Sequence, residues 1–415
     1  MIKEKQIVLG ITGGIAVYKV VELVRQFRKR NAKVDVIMTR NAQQFVTPLT
    51  FQTISGHPVY TDLFHSFNPE ISHISLADKA DVLIIAPATA NIIAKIASGC
   101  ADDLLSTVVL ATKAPLLIAP AMNANMWENR IVQQNVGKLK ELGFRIMDPT
   151  TGELACGYEG KGRLAEIEDI LGETITILTE KDLQGERILI TAGPTHEHID
   201  PIRILTNRSS GKMGYALAKV SHQRGAEVML VSGPTNLKPI PNIHTIQVEN
   251  TLEMSKAVSK HYKSCSIVIK AAAVADYRPK KSFKDKMKKT HKTLTLGLDK
   301  NPDILYQLGK DKGKKILVGF AAETKNLISQ AKLKLDRKNL DLIVVNNALQ
   351  KRGGFGSDSN EATLIDFEGK IDALPLMGKE ELADKILDKI KQIKKEKSSA
   401  KELKKTSASE PKKRT

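Results

Sequence analysis

Three side chains in the first 160 residues stand where chemistry could be done. Asn123 lies in Pro120–Trp127, PAMNANMW, directly after the apolar run of residues 116–119. A short apolar run reads as a buried strand of a parallel sheet, and ligands of open α/β sheets sit just past the carboxyl ends of strands. Met122, Met126 and Trp127, the single Trp, offer apolar surface to a flat ring, while the amides suit a carboxylate or carbonyl. A packed connecting loop is the plainer reading. Cys156 lies in residues 152–164, GELACGYEGKGRL, where four glycines mark a mobile loop; a lone thiol there suits a proton donor brought in as a lid closes. His73 precedes a helix, and an isolated His serves structure more often than catalysis.

These residues need a frame. Residues 7–11 form a strand, Thr12-Gly13-Gly14 a tight turn whose N–H groups favour a phosphate, and residues 15–30 an amphipathic helix. Residues 34–39 make the next strand, ending at Thr39. Residues 82–86 form another, followed by an Ala86–Thr89 turn and a helix from Asn91 ended by Gly99. Strand and helix alternate, so the ligand-facing turns are 12–16, 39, 86–89 and 120–127. A polar stretch within residues 173–185 reads as a linker. The pattern then restarts with strands at 187–191, 226–231 and 267–270, and a helix at 213–224. Ser209-Ser210-Gly211-Lys212 opens that helix without P-loop spacing; it suits phosphates, or is simply a capped start. Residues 271–279, AAAVADYRP, again follow a strand, and Asp276 there could meet a base, a ribose or a metal-bound phosphate. The lysine-dense stretch that comes next is either solvated surface or an arm closing over a triphosphate. Lys334 and Lys338 stand at i, i+4 on one helix.

The chain has 415 residues, 41% apolar, enough for two or three cores, and a formal charge of +18. Ten Lys/Arg against three Asp/Glu fall in residues 391–415, an expected disordered tail that is either solvated or able to touch nucleic acid or anionic lipid. The remaining excess suits phosphorylated substrates. Three cysteines without paired spacing, Cys100, Cys156 and Cys265, indicate a reducing compartment; Cys100 and Cys265 read as packing residues. No run of 18 apolar residues exists, so no membrane span and a cytoplasmic location are expected.

The motifs GITGGIAVYK, SHISLA, APATANIIAK, ADDLLST, PAMNANMW and ACGYEGKGR, between about residues 7 and 171, resemble the flavin-dependent cysteine decarboxylases. The resemblance implies bound FMN, met by Gly13, Gly14, Ile15, Ala16, Thr39, Ala86, Pro87, Ala88, Thr89, Ser106, Thr107 and Met122. It implies His73 as the base and Asn123 as the residue holding the substrate carboxylate or amide. Cys156 would return a proton after flavin oxidation of the thiol and loss of carbon dioxide. Between about residues 186 and 389, AGPTHEHIDPIR, TNRSSGKMG, AAAVADYRP and GFAAET resemble the phosphopantothenate–cysteine ligases. That similarity implies CTP, Mg²⁺ and an acyl-cytidylate captured by L-cysteine, with Asn207 on the acyl phosphate. Ser210, Gly211, Lys212, Ala271, Ala272, Ala273, Asp276, Lys286, Asn301, Pro302, Asp303, Ile304, Phe320, Lys334 and Lys338 would bind CTP, Lys286 stabilising charge during the reaction. No metal ligand is assigned.

The expected architecture is two doubly wound, mostly parallel-sheet α/β domains of Rossmann-like type: a flavoprotein domain over 1–180, a nucleotide-binding ligase domain over 186–392, and a tail over 393–415. The expected function is bifunctional: ligation of 4′-phosphopantothenate to cysteine, then decarboxylation to 4′-phosphopantetheine, in a homo-oligomer. The rivals are a peptidyl-cysteine decarboxylase, which the second half opposes, and a basic nucleotide-binding protein on nucleic acid, which the 4% aromatic content opposes.

Overall fold

The computed structural model describes residues 2–64, 72–153, 159–288, 295–323, 326–347 and 356–408. Contacts divide the chain into Met1–Thr179 and Glu180–Thr415. The first unit runs β1 (Gln6–Ile11), α1 (Val17–Lys29), β2 (Lys33–Met38), α2 (Pro48–Ser55), β3 (Val59–Tyr60), α3 (Ser72–Lys79), β4 (Val82–Ala88), α4 (Ala90–Ser98), α5 (Leu104–Ala111), β5 (Leu116–Pro120), α6 (Ala124–Glu128), α7 (Arg130–Glu141), β6 (Arg145–Ile146), β7 (Thr150–Glu153), β8 (Glu159–Arg163) and α8 (Ile167–Leu178). Its six-stranded parallel sheet has the order β3-β2-β1-β4-β5-β6. The order reverses between β1 and β4, and that switch point is where such sheets bind ligands. The central strands are buried on both faces, one apolar cluster lying under α1 and α8 and the other under α3, α4, α5 and α7. Continuous Val/Ile/Leu runs are what a doubly covered strand requires.

The second unit runs β9 (Arg187–Ala192), β10 (His196–His198), β11 (Ile204–Thr206), α9 (Lys212–Gln223), β12 (Glu227–Ser232), β13 (His244–Gln247), α10 (Thr251–Tyr262), β14 (Ile267–Lys270), β15 (Tyr277–Pro279), β16 (Leu298–Lys300), α11 (Ile304–Lys310), β17 (Ile316–Glu323), α12 (Leu327–Arg337), β18 (Leu342–Asn347), β19 (Ser359–Asp366), β20 (Ile371–Gly378) and α13 (Lys379–Ala408). Its eight-stranded sheet, β13-β12-β9-β14-β17-β18-β19-β20, is parallel as far as β18 and closes with the antiparallel β19 and β20. α9 and α13 cover one face; α10, α11 and α12 cover the other.

Several expectations about the elements are corrected. β4 continues through Ala88, which pairs with Pro120 beyond a bulge, so residues 86–88 belong to the strand rather than to a turn. His73 lies inside α3, not before it. α8 reaches Leu178, because the amphipathic pattern of Ile170, Leu171 and Ile175 buries against the sheet, leaving a shorter connection than residues 173–185. The segment expected to be disordered from 393 is helical to Ala408: Ile393 is fully buried, Lys394 pairs with Glu186 and Lys397 with Asp341. Cys265 is buried as a packing residue, and burial pushes its thiol up from the usual range. Among the described residues no helix is long and apolar enough to cross a membrane.

Candidate functional site

In the first unit, hydrogen bonds tie the strand ends together. Thr12 Oγ1 donates to the Pro87 carbonyl at 2.7 Å and accepts from Thr89 N at 3.0 Å, so the turn after β1 and the end of β4 hold each other. The Thr39 hydroxyl donates to the Ile11 carbonyl at 3.3 Å. Ala121 N donates to the Ala88 carbonyl at 3.0 Å, adding the loop after β5. Thr12, Gly13, Thr39, Ala88, Thr89 and Ala121 are thereby brought to the carboxyl edge, with open space beside Gly14 and with Ile15 exposed. The side chains of Ala86, Pro87 and Ala88 are buried, so they can meet a ligand only through backbone at the edge. Ser106 and Thr107 stand in the first turn of α5; Ser106 completes a capping box with Asp103, and Thr107 Oγ1 donates to the Asp103 carbonyl at 2.7 Å.

Asn123 caps α6, its Oδ1 accepting from Asn125 N at 2.9 Å. A two-stranded ribbon, β7–β8, lies against this loop: Met122 N donates to the Gly162 carbonyl at 2.9 Å. A side chain at Gly162 would fall on the Met122 carbonyl oxygen, and one at Gly160 on Ala124 Cβ at 2.6 Å. These two glycines therefore serve close approach. The ring of Trp127 is buried in the core, under the ammonium of Lys161 at 6.0 Å, and offers no open ring surface, contrary to expectation. Cys156 lies outside the described residues. His73 is half-buried in the first turn of α3, and its Nδ1 is buried with no hydrogen-bond partner among the described residues.

In the second unit, a cleft of about 890 Å³ opens at the carboxyl edge. It is lined by Pro194 and His196 after β9, by Thr206 to Ser210 and Lys212, by Pro234 to Leu237 after β12, and by Gln247 and Gly356. Gly211 is the N-cap of α9 with φ +77°, and a Cβ there would meet Thr235 Cγ2 at 2.7 Å. No side chain caps this helix start, so the capped-helix alternative for residues 209–212 is not what forms. Lys212 Nζ donates to Asp358 at 2.6 Å and to the Gly356 carbonyl. Asn207 Nδ2 donates to the Ala273 carbonyl at 3.0 Å, joining the cleft to the segment after β14.

Beyond β14, Ala272 N donates to Thr191 Oγ1 at 3.2 Å and Ala275 N to Thr195 Oγ1 at 3.0 Å. Asn301 is buried between the Ala275 carbonyl and Arg278, and its N–H donates to the Asp276 carbonyl at 2.8 Å. Asp303 caps α11 and pairs with Lys338 at 2.9 Å; burial opposes its ionisation, but Lys338 and the Tyr306 N–H hold its carboxyl below the usual range. Pro302 and Ile304 flank it. Phe320 packs on the opposite face, toward α9, while Lys334 and Lys338 lie at the end of α12, Lys338 as its C-cap. Lys286 is exposed but its strand of chain is not loose: Phe283 N donates to the Ile199 carbonyl at 2.9 Å and Met287 N to Asp200 at 3.2 Å.

Sequence reasoning missed the β12 end of the cleft. The signal existed: Gly233-Pro234-Thr235 after β12 repeats Gly193-Pro194-Thr195 after β9.

Comparison with known proteins follows the same division. Residues 1–179 match the family model described as Flavoprotein, and residues 183–393 the one described as DNA/pantothenate metabolism flavoprotein C-terminal domain. The coenzyme A biosynthesis bifunctional protein CoaBC of Bacillus subtilis is 47% identical over 401 residues, 95% of this chain and 99% of that protein. Its namesake from Vibrio cholerae is 46% identical over 387 residues, 92% of this chain and 97% of that protein. A crystal structure of the C-terminal domain of CoaBC covers 52% of this chain and 100% of its own, at 45% identity and a TM-score of 0.46.

Proposed function

The chain belongs to the family of coenzyme A biosynthesis bifunctional proteins, and on that premise we propose that its second unit ligates 4′-phosphopantothenate to L-cysteine and its first unit decarboxylates the product. The observation that carries this reading is the pairing, in one chain, of a flavoprotein unit with a unit whose uncapped helix start and basic cleft are joined by Asn207 to AAAVADYRP.

In the ligase reaction the acid's carboxylate attacks the α-phosphorus of CTP, pyrophosphate leaves, and the cysteine amine then displaces CMP from the acyl-cytidylate. The acid lies in the cleft, and Ser210, Gly211 and Lys212 at the open start of α9 meet the nucleotide. Asn207 holds the acyl phosphate, and residues 271–273, Asp276, residues 301–304, Phe320, Lys334 and Lys338 receive the nucleotide. Lys286, on an anchored segment, faces the charge that builds as two anions meet. Mg²⁺ travels with the nucleotide phosphates, the setting in which this cation is usually bound by enzymes.

In the decarboxylase unit the residues fit FMN. The edge beside Gly14 is open, strand ends converge on it, and a buried His73 Nδ1 awaits a partner. When bound, FMN supplies two-electron chemistry at the cysteine sulfur. His73 takes the proton, Asn123 orients the carboxylate, and Cys156 returns a proton to the product. Exposed Ile15, Tyr18, Leu49 and Ile74 suit self-association into a homo-oligomer, which works in the cytoplasm.

The test is one coupled assay. The yellow holoprotein, given 4′-phosphopantothenate, cysteine and each nucleoside triphosphate with Mg²⁺, should release pyrophosphate and then carbon dioxide with CTP. Absence of flavin absorbance, or no pyrophosphate with any nucleotide, overturns the reading.

A further inference from the structure

We propose that His196 is the base that takes the proton from the cysteine nitrogen as it captures the acyl-cytidylate, with Glu249 as the residue that positions it; this rests on the ligase reading of the second unit. His196 opens β10 and lies in the wall of the cleft. In the β10–β11 ladder it stands opposite Thr206, which lines the same cleft, and Asn207 follows Thr206 directly. Directly opposite residues of an antiparallel pair share a face. The imidazole therefore stands beside the residue that holds the acyl phosphate, where the cysteine amine must arrive.

The ring is held in one orientation and one tautomer. Its Nδ1 lies 3.2 Å from Glu249 Oε1, and the His196 N–H donates to the Glu249 carbonyl at 2.8 Å. Two residues further along β10, His198 places its Nε2 3.3 Å from the same carboxylate oxygen. An ionised carboxylate only accepts, so Nδ1 of His196 carries the hydrogen and Nε2 keeps its lone pair. Glu249 is itself fixed, its N–H donating to Glu253 Oε2 at 2.8 Å. The cleft wall includes His196 but neither Glu249 nor His198, so the ring edge away from Glu249 is the one that meets the cleft. The other charges close by are turned elsewhere. Glu197 is buried and accepts from Thr251 N and Oγ1, and Lys212 pairs with Asp358. Arg208 shares the wall and is a donor only, so it cannot take a proton.

The chemistry asks for such a base in one half of the reaction. When the acid's carboxylate attacks phosphorus, no proton moves. Capture by cysteine releases two. Cysteine sheds the first to solvent and enters as the free amine. As the C–N bond forms at the acyl carbon, the nitrogen becomes acidic and its proton passes to His196 Nε2. The C–O bond then breaks, and CMP leaves with the electron pair. Glu249, on Nδ1–H, stabilises the imidazolium that results.

The experiment is a single-turnover assay of the full-length flavin-loaded protein, as wild type, H196Q and E249Q, with 4′-phosphopantothenate and CTP in Mg²⁺. Pyrophosphate release is followed first. CMP release is then followed on adding cysteine, or hydroxylamine, whose adduct is acidic enough to give its proton to water. All three proteins should release pyrophosphate at the wild-type rate. H196Q should slow capture by cysteine about 10²–10⁴-fold. E249Q should slow it less, because an amide can donate to Nδ1 and reverse the tautomer. Hydroxylamine should release CMP at the wild-type rate in both variants. H196Q capturing cysteine like wild type, or slowing pyrophosphate release or hydroxylamine capture as much as cysteine capture, overturns this proposal alone. E249Q capturing cysteine like wild type overturns the positioning role of Glu249. Wild type releasing no pyrophosphate overturns the ligase reading, and this proposal with it.

Discussion

His73 is the residue at which the decarboxylase reading is most exposed to test. A buried imidazole nitrogen without a partner costs about 1–3 kcal/mol, and His73 Nδ1 has none among the described residues, so the fold carries His73 for something other than its own stability. A base placed on a reacting proton contributes about 10²–10⁴ in rate. His73→Gln should therefore cut decarboxylation of supplied phosphopantothenoylcysteine at least a hundredfold, measured as carbon dioxide release, while pyrophosphate release by the ligase stays at the wild-type rate. A variant decarboxylating normally would make His73 structural. Asn123 is legible in the sequence from residue type and position after a strand, whereas the roles of His73 and Asn207 come only from the family resemblance. The sequence could not show that the Trp127 ring turns inward, because an aromatic beside a strand end packs either way until α6 and the ribbon are in place. Nor could it show the pairing of Asp303 with Lys338, 35 positions apart, which forms only in the fold.

At the scale of elements, alternation of strand and helix made both parallel sheets legible, while the short antiparallel pieces were not. β7–β8 is an example. Its glycines read as mobility, yet Gly160 and Gly162 let the ribbon lie on the Asn123 loop. Gly162→Ala should displace the ribbon, leave flavin absorbance intact and lower decarboxylation severalfold or more; unchanged turnover with unchanged flavin would show that the ribbon's seat on Met122 is dispensable. The second element-scale device is Arg224, nearly buried, which pairs with Asp182 at 2.6 Å and with Asp384 and Asp388 of α13 at 3.0 and 2.8 Å. Arg224→Met strands these carboxylates and should cost roughly 3 kcal/mol in the stability of the second unit, read from denaturant midpoints. The Arg224 guanidinium above all, with Lys391, holds the Asp182 carboxyl down to about 2, against the opposing pull of burial. A depressed carboxyl stabilises when ionised, so its contribution is complete above the unfolded value of 3.8 and is lost as pH falls through about 2. The stability deficit of Asp182→Asn should accordingly be constant from pH 8 to 5 and shrink below pH 4; a deficit growing with acidity would reverse this assignment.

At the scale of the molecule, each unit carries its own apolar clusters: those of the first are drawn from residues 2–175 and those of the second from residues 183–393. Two self-sufficient cores with separate sites predict separable activities. A fragment ending at Thr179 should fold, bind flavin and decarboxylate supplied substrate, and a fragment starting at Glu180 should ligate, each at rates close to those of the whole chain unless assembly of copies completes a site. Where the cut falls matters. A linker read from polarity alone places the start of the second domain at 186, but Leu183 is buried against the cluster under α9 and α13, its N–H donates to the Arg224 carbonyl at 2.9 Å, and Asp182 holds the Arg224 guanidinium. A fragment starting at Glu186 loses one buried leucine, worth about 1.5–3 kcal/mol, and leaves Arg224 without its shortest partner. It should melt measurably below the fragment starting at Glu180 and lose ligase activity on warming sooner. Equal melting of the two fragments would show that residues 180–185 only connect the two units.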